Sequence, residues 1–128
     1  MKSELVRITQ TLEVFAPGNE YFACAWLDEL LLYLSGNVDF INDFLAREIP
    51  GVELVQPEGT YLAWLDFREL GLEVDALGEL LSQRARVALN SGHWFGREGA
   101  GFARMSFACP RTVLEDALTR IARAVAEL

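Results

Sequence analysis

Gly101-Phe102-Ala103-Arg104-Met105-Ser106-Phe107-Ala108-Cys109-Pro110-Arg111 is the stretch on which the fold turns. Residues 102–108 alternate with a period of two, as a strand with two different faces does. Ala103, Met105 and Phe107 share one face, which suits packing on helices, while Phe102, Arg104 and Ser106 share the other. Pro110 has no amide hydrogen to give a ladder and closes the strand. Just beyond it, Thr112 and Glu115 have capping-box spacing, and Leu114, Leu118, Ile121, Val125 and Leu128 form one apolar stripe. The strand therefore leads straight into an amphipathic helix.

Upstream, residues 52–56 and 61–67 read as strands joined by the turn Pro57-Glu58-Gly59, a hairpin. Asp75 is placed to cap a helix carrying Leu77, Leu80 and Leu81 as far as about Arg84, and residues 87–89 form a short strand candidate. Further back, Trp26, Leu27, Leu30, Leu31 and Leu34 fall at helical spacing. Asn37 is the expected N-cap of a second helix with Phe40, Ile41, Phe44 and Leu45 on one face, stopped by Pro50-Gly51. Residues 1–25 stay open between two readings. Val6, Ile8, Leu12 and Val14 alternate as a strand does, and Leu5, Ile8, Leu12 and Phe15 equally fit one side of a helix. The whole predicts an α+β fold: a mostly antiparallel sheet with helices packed on one face.

A chain of 128 residues suits one domain with one core. Its formal charge of -8 argues against nucleic acid and anionic membrane surfaces, whose binders cluster Lys and Arg. No apolar run reaches the roughly 20 residues a membrane-spanning helix needs, and the first ten residues lack the apolar core of a signal peptide. Cys24 and Cys109 are too few for a disulfide framework and read as buried thiols in a reducing compartment, which points to the cytoplasm.

Chemistry is sparse. Lys2 is the only lysine beside ten arginines, so no internal lysine can act as a catalytic amine or a phosphate-loop cation. A single histidine, His93, excludes a His-rich metal site. It reads as a surface residue of the flexible, aromatic loop from Ser91 to Gly96, with pocket lining as the alternative. The 19 acidic residues are scattered and offer no acid/base pair, and the glycines from Gly92 to Gly101 do not lead into a helix with a lysine. No catalytic residue and no metal ligand is nominated. Arg104 alone demands an explanation, because a guanidinium in mid-strand must be solvated, paired to an internal Asp, or placed to take an anion. Its planar fork suits bidentate carboxylate binding. Arg111, beside the start of the last helix, reads as structural.

An ordered series of segments carries a family resemblance: Trp26-Leu27-Asp28-Glu29-Leu30-Leu31; Asn37; Pro57-Glu58-Gly59-Thr60-Tyr61-Leu62-Ala63-Trp64-Leu65-Asp66-Phe67-Arg68; Ala88-Leu89-Asn90-Ser91-Gly92 with Phe95-Gly96; and the stretch from Gly101 to Arg111. Together they resemble the C-terminal small domain of fold-type I enzymes dependent on pyridoxal phosphate. The aminotransferase-like cystathionine β-lyases of the MalY/PatB type are the nearest group. The resemblance divides the chain into a remodelled leader, residues 1–25, and an aminotransferase-like small domain, residues 26–128.

It also implies that Arg104 binds the α-carboxylate of an amino acid substrate. In the complete family enzyme, pyridoxal 5'-phosphate serves as an electron sink for α,β-elimination of a sulfur amino acid or for amino-group transfer. The family's large domain supplies the reactive lysine and the cofactor ligands, and nothing in this chain matches that domain. The expectation is a domain that binds no cofactor and is inactive alone. It would associate with itself, exchanging residues 1–25, or with a large-domain polypeptide. The alternative is a stand-alone amino-acid-binding or protein-interaction module without catalysis.

Overall fold

The computed structural model describes residues 20–128, with side chains from Cys24 onward. The strand-or-helix alternative for Val6 to Val14 lies outside the described residues. A 29-residue helix, α1 (Glu20–Glu48), comes first and runs about 43 Å. It passes through residues 25 and 26 without a break. The expected N-cap at Asn37 is overturned, for this residue sits in mid-helix and is fully buried. Its amide nitrogen donates to the carbonyls of Phe107 (2.8 Å) and Cys109 (3.2 Å), and its oxygen accepts from Arg111 Nε (2.7 Å). A side chain with partners in the far third of the chain cannot turn back to cap its own helix. The neighbouring Gly36 has a tertiary reason too, since a Cβ there would lie 3.3 Å from Arg111 Nη2.

Val38, Ile41, Phe44 and Leu45 form the buried stripe of α1, and Gly51, at φ 87°, turns the chain into the sheet. The strands are β1 (Glu53–Val55), β2 (Leu62–Asp66), β3 (Asn90–Ser91) and β4 (Phe102–Ser106). They form one antiparallel sheet in the order β1-β2-β4-β3. Between β2 and β3 lies α2 (Val74–Glu79), continued by a wider π-turn (Leu80–Arg84) that directs Leu77, Leu80 and Leu81 inward. Glu73 occupies its N-cap position, so Asp75 falls within the first turn. The third strand lies beyond the expected residues 87–89, because the amide of Val87 is still tied to Leu81 O (2.9 Å).

The closing helix, α3 (Arg111–Ala126), buries Leu114, Leu118, Ile121 and Ala124; Val125 is half-buried and Leu128 is exposed. Its expected capping box is absent. Pro110 O accepts from the amides of Val113 (3.0 Å) and Leu114 (3.2 Å), and the Tyr33 hydroxyl accepts from that of Arg111 (2.9 Å). The core unites these helical residues with Ala63, Leu65, Ala103, Met105 and Phe107 from the sheet and its extension. The fold is α+β with the expected side-chain alternation along β4. Cys24 and Cys109 are half-buried, where full burial was expected. No helix among the described residues is long and apolar enough to cross a membrane.

Candidate functional site

Trp64, Asp66, Phe102 and Arg104 occupy the sheet face away from the core. Register puts Trp64 opposite Arg104 on one side and Asn90 opposite it on the other. The Trp64 ring is already engaged, stacked on Phe102 (centroids 5.5 Å, 20°) and edge-on to Phe95 (5.8 Å, 69°). Arg104 therefore leans toward β3, where its Nη2 donates to Asn90 Oδ1 at 3.1 Å and its guanidinium carbon lies 4.5 Å from the Phe95 ring centroid.

Phe95 reaches this position from the 3₁₀ turn Gly92–Phe95, which is followed by a second, Arg97–Gly99. The two turns are pinned by a close approach of Gly92 and Gly99, where a Cβ on either would strike the backbone carbonyl of the other. The loop expected to be flexible is thus tied to itself. His93, on the first turn, is exposed, in keeping with a surface role.

The electrostatic character of Arg104 follows from its partners. Arg68, Arg84 and Arg120 each meet a carboxylate, from Asp66, Glu127 and Asp116. Arg104 meets only a neutral amide and a ring, and its buried Nε has no hydrogen-bond partner among the described residues. A guanidinium carries five N–H donors in a rigid fork, and the single bond to Asn90 does not use them up. Arg68 is spent by contrast. It grips Asp66 through Nε (3.0 Å) and Nη2 (2.7 Å) while lying 4.6 Å from the Phe102 centroid. Those hydrogen bonds hold the Asp66 carboxyl below its ordinary pKa, against the opposing effect of burial.

Sequence periodicity placed Arg104 on this face, and Phe95 falls in the loop from Ser91 to Gly96 for which pocket lining was the alternative, but Asn90 and Trp64 were missed. Register alone would have flagged Asn90, had the third strand been placed at residues 90 and 91. No cluster of three or more metal-binding side chains exists among the described residues.

No protein-family model matches the chain. Over 100 residues it is 38% identical to protein MalY of Escherichia coli (strain K12), an alignment spanning 78% of this chain and 26% of MalY. It is 37% identical over 100 residues to the cystathionine β-lyase PatB of Bacillus subtilis (strain 168), with the same two coverages. The crystal structure of cystalysin from Treponema denticola, which contains a pyridoxal 5'-phosphate cofactor, superposes with a TM-score of 0.77 at 28% identity. That match covers 94% of this chain and 34% of cystalysin. The chain thus spans about a quarter of the length of the curated relatives it matches. On sequence and fold together, it belongs to the family of pyridoxal-phosphate-dependent fold-type I aminotransferases and MalY/PatB-type cystathionine β-lyases, as the counterpart of their C-terminal small domain.

Proposed function

We propose that this chain supplies the carboxylate-binding wall of a pyridoxal-phosphate-dependent enzyme acting on amino acids, by elimination from a sulfur-bearing side chain or by amino-group transfer. The observation that carries the reading is the state of Arg104: a mid-sheet guanidinium on an aromatic shelf, without a carboxylate among the described residues, and with a buried donor unmatched. Two oxygens of a substrate carboxylate would satisfy that fork, because charge-assisted bidentate pairs are the strongest hydrogen bonds a side chain offers an anion. Held there, the substrate has one end fixed and its α-carbon oriented, which is how a binding residue contributes to rate without touching the reacting bond.

The cofactor supplies the electron sink of the family's chemistry, and the described residues do not fit it. Residues 20–128 contain no lysine to offer an amine. Nor do the glycines from Gly92 to Gly101 leave a cradle for its phosphate, since Gly92 and Gly99 fill that space with each other's backbone. We therefore assign the cofactor and the reactive amine to the family's lysine-bearing large domain, and catalysis to the two domains together. The cytoplasm is the proposed compartment, where the Cys109 thiol stays reduced.

The test is a titration of the purified chain with L-methionine and, in parallel, with L-methioninamide, followed by NMR. The expected result is saturable binding of the acid, none of the amide, and loss of binding in Arg104→Ala. Equal binding of both probes, or binding that survives Arg104→Ala, refutes the role of Arg104. Pyridoxal phosphate mixed with the chain should give no stoichiometric bound chromophore. A band that disappears in Lys2→Ala would overturn the assignment of the amine to the large domain.

A further inference from the structure

We propose that Asn90 is the positioning residue of this site and that its neutrality keeps the Arg104 charge available to the substrate carboxylate. The inference rests on the carboxylate reading above and goes beyond it to a residue that touches no substrate in that reading.

Asn90 lies directly opposite Arg104 across the β3–β4 pair, and its Oδ1 is the one hydrogen-bond acceptor that Arg104 meets among the described residues, at 3.1 Å. Phe95 supports the guanidinium at 4.5 Å on its ring. One contact fixes the direction of the fork and the other its plane. Together they remove rotamer freedom from a long side chain before any ligand arrives, and pre-organisation of this kind improves affinity by cutting the ordering cost.

The identity of the acceptor matters as much as its place. An aspartate at position 90 would have nearly the shape of asparagine and could reach the same nitrogen. It would also put a permanent carboxylate about 3 Å from the guanidinium, in the position of an internal competitor. The chain supplies carboxylates to Arg68, Arg84 and Arg120 and an amide to Arg104. Arg111 likewise meets an amide, that of Asn37, but there Nε is the nitrogen engaged, whereas the buried Nε of Arg104 stays unmatched among the described residues.

The two halves of the proposal rank substitutions in an unusual order. If Asn90 served only to hold β3 to β4, removing its side chain in Asn90→Ala would harm the protein more than the isosteric Asn90→Asp. If it positions an available charge, the order of binding reverses. Asn90→Ala should weaken L-methionine binding about fivefold, the equivalent of one hydrogen bond. Asn90→Asp should weaken it by about thirtyfold or more, through a charge-assisted internal pair.

The experiment is the NMR titration of the full chain with L-methionine for the unsubstituted protein, Asn90→Ala, Asn90→Asp and Arg104→Ala. Each variant's thermal unfolding is measured alongside. The expected signature is an Asp variant that melts at least as high as the Ala variant yet binds more weakly. Two results overturn the proposal while leaving the carboxylate reading intact. One is binding by Asn90→Asp within twofold of the unsubstituted chain. The other is a loss in both variants that tracks their loss of melting temperature. Absence of carboxylate-dependent binding by the unsubstituted chain overturns the carboxylate reading, and the positioning role falls with it.

Discussion

Replacing Asn37 by alanine tests what holds the end of β4 and the start of α3 against α1. The substitution removes three hydrogen bonds at once: the donations to Phe107 O and Cys109 O, and the acceptance from Arg111 Nε. The lost partners are not equally stranded. Cys109 O keeps the Tyr33 hydroxyl at 3.1 Å, whereas Phe107 O and Arg111 Nε lose the one side-chain partner each has. Leaving a buried polar group unmatched costs about 1–3 kcal/mol, and alanine returns about 0.7 kcal/mol of helix propensity. The net expectation is a loss of about 3 kcal/mol, which lowers the melting temperature of a domain this size by about 10 °C.

Urea unfolding followed by circular dichroism measures the change, with an unaltered m-value showing that the unfolded ensemble has not shifted. A double-mutant cycle with Arg111→Ala isolates the network from its parts. The two residues share one hydrogen bond at 2.7 Å, so the double variant should cost less than the sum of the singles by about 1 kcal/mol or more. A loss below about 1 kcal/mol in Asn37→Ala, or strict additivity with Arg111→Ala, refutes the idea that this buried amide carries the junction.

Gly99→Ala drives a methyl group into the Gly92 carbonyl. It should cost about 1–3 kcal/mol, as overpacking does, and weaken L-methionine binding by displacing the shelf at Phe95. Gly59→Ala, with open space around it, is the matched control in the same unfolding assay. The Asp66 carboxyl titrates below its ordinary pKa, so its pairing stabilises the fold above the ordinary carboxylate range. That contribution is lost as pH falls through the depressed value. Stability curves of the unsubstituted chain and Asp66→Asn should differ slightly at neutral pH and converge in acid; a gap that widens in acid contradicts the assignment.

What was legible in the sequence is what is encoded locally. Period-two alternation along residues 102–107 put Ala103, Met105 and Phe107 in the core and Arg104 outside it, and the stripe of α3 was readable as far as Ile121. Two of the misreadings share one cause. Gly36-Asn37 looks like a helix boundary and Thr112 looks like a cap, because Gly, Asn and Thr favour such places by local preference. Here the preference is overridden from far along the chain. Arg111 packs on Gly36 and bonds to Asn37, and the Tyr33 hydroxyl takes the first amide of α3 before any capping box is needed. The surroundings of Arg104 were hidden for a related reason. Phe95 arrives there through two short turns locked by a Gly92–Gly99 contact, and no periodicity runs through such a loop.

Arg104 and Arg111 show how one pattern of contacts serves two ends. Each meets an asparagine, Asn90 or Asn37, and each lies on a phenylalanine, Phe95 at 4.5 Å or Phe40 at 4.7 Å. The difference is which nitrogen the amide takes and how deeply it lies. Asn37 is fully buried, engages Nε of Arg111 and spends its own donors on two backbone carbonyls, so that the group closes on itself. Asn90 is exposed, engages Nη2 and leaves the buried Nε of Arg104 unmatched. A closed network of this kind contributes stability and has nothing left for a ligand; an open one retains an unmet demand for an acceptor. The contrast within one fold separates the arginine that joins elements from the arginine to which we assign the carboxylate. It also predicts that exchanging the two asparagines' roles by substitution would damage folding at position 37 and binding at position 90.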